Sequence, residues 1–194
     1  MYFLHKPDHD YIKKCLATLG QSLFSYPEVG ATRQKPPLGY TVDHNRTKLG
    51  NGNRTFLSAK SLIRNWTMFE IPWLVLYRDG KEIESGMPVV ILIRVGFLWV
   101  LNACKVVYII EENGAVERFG FAYGTLSDHA EMGEERFMVE WDRTDDSVWY
   151  DILAFSKPNE ILPLIAYPFT RQLQKRFARD SMNAMRRSVE PAAQ

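Results

Sequence analysis

Between residues 69 and 156 the chain reads as a succession of strand-like segments parted by turn residues, and this run constrains the fold more than any other feature. Apolar and β-branched residues concentrate in Phe69–Tyr77, Val89–Val95, Ala103–Glu112, Glu117–Thr125, Glu135–Asp142 and Val148–Ser156. Asp79-Gly80 and Asn113-Gly114 are hairpin dipeptides, because their glycines supply the positive φ of tight turns, and Asp142–Ser147 is a longer polar turn. Sequential hairpins predict an antiparallel meander. On its N-terminal side, Asp8 is a candidate N-cap for a helix carrying Ile12, Cys15, Leu16, Leu19 and Leu23 at helical spacing, with Gly20 as a C-terminal stop. A turn-rich loop follows over residues 25–38, then a strand over 39–48, then a helix with Phe56, Ala59, Ile63 and Trp66 on one face. On the C-terminal side, Pro163 and Pro168 confine the start of a helix over Phe169–Arg187, about 28 Å long, enough to cover the sheet. The expected class is α+β: a curved antiparallel sheet of about seven strands gripping a long C-terminal helix, with an extra N-terminal helix. Residues 1–24 are expected to form a helical extension and residues 25–194 one domain.

Curvature is written into Glu117–Thr125, where Phe119, Phe121 and Tyr123 fill one face while Gly120, Ala122 and Gly124 leave the other bare. The aromatic face is expected inward. With 194 residues, 46% of them apolar, the chain is long enough to bury a core without a disulfide or structural metal. Cys15 and Cys104 have no zinc or disulfide spacing and read as buried thiols of a reducing compartment. Residues 1–7 lack a secretory pattern, so the cytoplasm is the expected location and the sequons at Asn45, Asn53 and Asn65 are coincidental. Pro88–Ile110 is interrupted by Arg94, Asn102 and Lys105, so it reads as strands and not as a membrane span. The glycine-rich Leu49–Asn53 opens a helix but lacks the third glycine of a dinucleotide fingerprint, so no phosphate-binding cofactor is implied.

Several blocks together resemble one family: Val29-Gly30-Ala31-Thr32, Leu49-Gly50-Asn51-Gly52, Phe119 through Leu126, His129, Gly133 through Phe137, Ala154 through Pro158, and Gln174 through Phe177. They are similar to the uncharacterised domain of unknown function nineteen-ninety, over about Ser25 to Arg187, with Ala130 standing where that pattern expects proline. The resemblance implies a helix-grip fold of the START and polyketide-cyclase-like kind, many of whose members hold lipids, hormones or polyketides between sheet and helix. It brings no reaction and no catalytic assignment.

Candidate site residues follow from strand parity and local chemistry. Glu135 shares parity with Phe137, Val139 and Trp141, which places it at the rim of an internal space, whereas Glu134 points the other way. A carboxylate there must be paired or protonated, and Arg46 or Arg94 could supply the pairing charge. His129, close in sequence to Asp128 and Glu131, is either an acid/base group or a turn-stabilising side chain. Arg46, Trp66, Arg94, Tyr123, Thr125 and Glu135 are therefore the candidate ligand-binding residues, with His129 and Glu135 as catalytic candidates. No metal site is expected, since His5 and His9 are the one pair at helical ligand spacing. The terminal helix carries Arg171, Lys175, Arg176, Arg179, Arg186 and Arg187 against Asp180. Yet the overall charge of +1 is a cancellation between a net −9 over residues 111–151 and positive flanks, which argues against a dedicated nucleic-acid binder. Three functions fit: a soluble module binding a small hydrophobic or amphipathic ligand, a cyclase, hydratase or hydrolase using His129 or Glu135, and an interaction protein using the basic helix.

Overall fold

In a computed structural model, the described residues are 1–80, 82–127, 129, 131–159 and 167–189. They form strands β1 (Tyr2–Phe3), β2 (Thr41–Asn51), β3 (Leu74–Arg78), β4 (Pro88–Val95), β5 (Leu98–Glu112), β6 (Val116–Thr125), β7 (Glu131–Asp142) and β8 (Ser147–Pro158). The helices are α1 (His9–Leu19), α2 (Gly52–Arg64) and α3 (Tyr167–Ser188). Every strand pairing is antiparallel, in the order β2-β8-β7-β6-β5-β4-β3, with β1 adding to β5 beside Trp99 and Val100. The expected α+β sheet and terminal helix are present. Pro163, Asp128 and Ala130 lie outside the described residues.

The turns are distributed differently from the dipeptide reading. The tightest hairpin is Gly96-Phe97, which joins paired Val95 and Leu98 with Gly96 at φ 60°. Asp79-Gly80 instead opens a wide connection, since Arg78 pairs with Val89. The strand expected over Phe69–Tyr77 is shorter, Leu74–Arg78, because Thr67–Phe69 forms a 3-10 turn after Trp66 adopts φ 60°. β5 and β7 start several residues before their expected positions, so the sheet is taller than the sequence pattern showed.

The apolar run of β4 and β5 is explained by burial on both faces. Val90, Leu92, Leu101 and Ala103 pack outward against Ile12 and Leu16 of α1. Val89, Ile91, Cys104 and Val106 pack inward with Phe121, Phe137 and Ile152. Among the described residues, no helix is long and apolar enough to cross a membrane.

Phe119, Phe121 and Tyr123 do face inward, toward the core completed by Phe56 and Ile63 of α2 and Ala178 and Met185 of α3. The bare face of β6 is where other groups approach closely: a Cβ on Gly124 would lie 2.1 Å from the Tyr26 hydroxyl, and one on Gly120 2.1 Å from the Phe137 carbonyl oxygen. A bulge between Val106 and Tyr108 of β5 lies opposite this segment and adds twist. α3 packs against the 67–69 turn, β2 and β8. Its N-terminal half thus lies across the concave face without filling it.

Candidate functional site

The space left between sheet and α3 is a cavity of about 530 Å³. Its wall is apolar on one side, built from Trp73, Ile91, Ile93, Leu98 and Val100, and on the helix side from Leu173 and Phe177. The other end is polar, and sheet register explains why. One row of paired residues runs Asp43, Ala154, Glu135, Tyr123, Val106 across β2, β8, β7, β6 and β5. The next inward-facing row runs Asn45, Ile152, Phe137, Phe121. Polar groups therefore sit above an aromatic and aliphatic floor.

Within the polar end, Tyr123 donates its hydroxyl hydrogen bond to Glu135 Oε2 at 2.8 Å. Burial pushes the Glu135 carboxyl up to about 7, against the Tyr123 hydrogen bond that favours its ionised form. Glu131, two steps along the same face of β7, is likewise pushed up to about 7 by burial. Gln174 of α3 donates to Glu131 Oε2 and to Ser156 Oγ. Arg171, one turn earlier on α3, grips Asp43 with two hydrogen bonds of 2.5 and 2.6 Å. These contacts tie the helix to β2, β7 and β8 at the cavity's polar end.

His129 also lines the cavity. Burial pushes its imidazole down to about 4, and Nδ1 accepts the Glu131 backbone N–H at 3.0 Å, which leaves the ring neutral with its proton on Nε2. Thr125 lines the cavity too, but its hydroxyl is engaged by Ser25 Oγ at 2.6 Å and the Gly133 backbone N–H at 2.9 Å. The remaining expected site residues lie elsewhere. Arg46 is on the outward parity of β2, bonded to Glu140 at 2.5 Å and stacked over Trp149, because Asp43 and Asn45 take the inward positions. Arg94 shares the outward parity of Val90 and Leu92 and reaches the Gly96 carbonyl at 3.3 Å. Neither arginine pairs with Glu135. Trp66 is a core residue, its ring centroid 4.4 Å from that of Phe121.

Residues absent from the sequence reading of the site are Asp43, Glu131, Arg171 and Gln174. Glu131 was recoverable in principle from its shared parity with Glu135 once β7 is known to begin four residues early. The Arg171–Asp43 pair joins groups 128 residues apart and leaves no local signal. The basic face of α3 is largely engaged with the protein itself: Arg176 and Arg179 pair with Asp180, Arg176 stacks over Trp73, and Arg186 bonds Thr47.

The raised carboxyls make stability depend on pH. A carboxyl whose pKa is higher folded than unfolded holds its proton more tightly in the native state. Glu131 and Glu135 therefore favour folding below about 4.5 and lose that contribution as pH rises to about 7. His129, lowered from 6.5 to about 4, acts in the opposite sense: its contribution is complete above 6.5 and is lost as pH falls through 4. The double variant Glu131→Gln, Glu135→Gln should gain stability relative to the parent between pH 4.5 and 7, with an upper slope of about 1.4 kcal/mol per pH unit per group. Urea unfolding across that range measures the difference; a pH-independent difference would contradict it.

A relative from Dictyostelium discoideum, a UPF0548 protein, is 33% identical over a 209-residue alignment covering 97% of this chain and 96% of that protein. The UPF0548 protein At2g17695 of Arabidopsis thaliana is 32% identical, covering 78% of this chain and 74% of that protein. Among solved structures, a START superfamily protein from Mycobacterium smegmatis matches with a TM-score of 0.50 at 15% identity, covering 78% of this chain and 97% of that one. The di-domain ARO/CYC BexL from the BE-7585A biosynthetic pathway matches with a TM-score of 0.54 at 10% identity, covering 95% of this chain and 61% of that one. These structural likenesses show a shared helix-grip fold. A family model for a domain of unknown function, DUF1990, matches residues 25–184. Because that match spans most of the chain, the chain belongs to the DUF1990 family.

Proposed function

We propose that this protein holds a small amphipathic ligand in the cavity between its sheet and α3. The observation that carries the reading is the segregation of the cavity itself: about 530 Å³ with a wall of Trp73, Ile91, Ile93 and Leu173 at one side and Tyr123, Glu131 and Glu135 at the other. Burial of apolar ligand surface supplies affinity there, at about 25 cal/mol per Å², while the few polar groups set orientation. The helix-grip fold supports the reading, since it is the gap between curled sheet and helix that makes the space. A thermal-shift screen with medium-chain amphiphiles, sterols and aromatic metabolites tests it. At least one class should raise the melting temperature with saturable concentration dependence; a screen in which none does so contradicts the reading.

One observation favours a second reading, acid/base catalysis on the cavity's occupant. Glu135, near 7 and hydrogen-bonded to Tyr123, exchanges a proton readily at neutral pH, and the His129 ring lines the same cavity. In that case the ligand recovered after incubation with fresh protein has a changed covalent structure, read by NMR together with mass because isomerisation or cyclisation conserves mass, whereas a binding module returns it unaltered.

A further inference from the structure

We propose that the ligand is an amphipathic amine, its cationic head held by the carboxyls of Glu131 and Glu135 and its apolar body against the Trp73 side of the cavity. This rests on the ligand-binding reading above and names the chemical class that reading leaves open.

The first ground is an unmatched acceptor. Glu131 is only 8% exposed, and it lines the cavity. Its Oε2 receives Gln174, but its Oε1 is buried and carries no hydrogen bond among the described residues. A buried carboxylate oxygen without a donor is costly, and a ligand N–H would meet that need. Gly133 lies between Glu131 and Glu135 on the same face of β7 and puts no side chain in front of them. Ala154, paired with Glu135 in the neighbouring strand, contributes only a methyl.

The second ground is the sign of the charge. Three carboxyls line the polar end with their side chains on the cavity face, Asp43, Glu131 and Glu135. Asp43 has its cation, Arg171, in a two-bond pair. Glu135 receives one neutral donor, Tyr123, and Glu131 one neutral donor, Gln174. Glu134, also in this stretch, directs its carboxylate to Tyr26, Gly30 and Thr32 on the outer face. Of the basic side chains lining the cavity, Lys175 is exposed at the rim, and His129 is held neutral by burial. Burial raises both Glu131 and Glu135; Glu135 feels the repulsion of Asp43 and Glu131, and Glu131 feels the attraction of Arg171 ahead of the repulsion of Asp43, so one arginine already paired with Asp43 faces three carboxyls and a surplus of acid remains. A cationic head removes that surplus; a carboxylate head adds to it. An amine also carries several N–H donors, which suits acceptor oxygens that the protein leaves open.

The test uses three probes of equal chain length, decylamine, decanol and decanoate, titrated below their micellar concentrations into the full chain by calorimetry at pH 8. Decylamine should bind at least tenfold tighter than decanol, and decanoate weaker than either. The amine's advantage should shrink as pH falls from 8 to 5.5, because the carboxyls become protonated. In the double variant Glu131→Gln, Glu135→Gln, amine and alcohol should bind alike, with decanol affinity retained as the control for an intact cavity; Glu135→Gln alone should show a partial loss. Equal or tighter binding of decanoate, or an amine preference that survives the double substitution, overturns the assignment of the head group while leaving the cavity reading intact. Failure of all three probes to bind overturns this inference, while the cavity reading is decided separately by the wider thermal-shift screen, which includes sterols and aromatic metabolites.

Discussion

Glu134→Ala is expected to lower the unfolding free energy by about 3–5 kcal/mol, among the largest effects of any single substitution in this chain. The side chain is 2% exposed and leaves the sheet on the face opposite Glu135. Its Oε2 accepts from the Tyr26 hydroxyl at 2.7 Å and the Gly30 backbone N–H at 2.6 Å. Its Oε1 accepts from the Thr32 backbone N–H at 2.9 Å and from the Thr32 hydroxyl. One carboxylate thus fastens residues 26–32 to the outside of the sheet, where Tyr26 lies over Gly124 and Gly30 adopts φ 88° to present its amide. Removing it leaves buried donors without an acceptor, at about 1–3 kcal/mol each before relaxation. Arg136, which holds the Thr32 carbonyl and Asp151, loses the ordered strap it braces. Denaturant unfolding of the variant checks the magnitude, and Tyr26→Phe, which deletes one donor and leaves the carboxylate in place, should cost only about 1–2 kcal/mol. A Glu134→Ala change below 1 kcal/mol would show that the strap is not held this way.

That role was half legible in the sequence. Alternation along Glu134-Glu135-Arg136-Phe137 already separates the two glutamates onto opposite faces, and Phe119, Phe121 and Tyr123 already share a face, because a strand's side-chain period is two. The order of elements was legible for the same reason, hydrophobic period and turn residues being local properties. What was not local could not be read. Arg46 and Arg94 were reasonable partners for Glu135 by charge, but β2 and β4 register turns both outward, and register is fixed by pairing with β8 and β5. Trp66 looked like a lining aromatic; its left-handed backbone, φ 60°, turns the chain after α2 and packs the ring on Phe121. The two resemblance blocks Gly30-Ala31-Thr32 and Gly133-Glu134-Glu135 meet in space through the Glu134 hydrogen bonds, and Ser156 meets Gln174 in the same way. Sequence showed those blocks as separate words. Contact explains what each does.

The second large effect falls on binding and leaves the scaffold intact. Ala154 sits between Asp43 and Glu135 in one row of the sheet, and its methyl belongs to the cavity face shared with Ile152 and Ser156. Ala154→Trp places an indole in the empty volume before Glu135, where it displaces ligand and does not press on packed neighbours. Filling an existing cavity costs the fold less than the about 1–3 kcal/mol of overfilling a packed core, whereas the occupant loses both its apolar contact and its access to the polar end. Affinity for any cavity ligand should fall by a factor of at least about 100, close to 3 kcal/mol. The most direct measurement is mass spectrometry of the small molecules released when purified parent and Ala154→Trp proteins are denatured, or loaded beforehand with decylamine and washed. The parent should yield a bound amphiphile near one per chain and the folded variant essentially none; equal recovery from the two proteins, or none from either, would contradict a ligand site between sheet and helix.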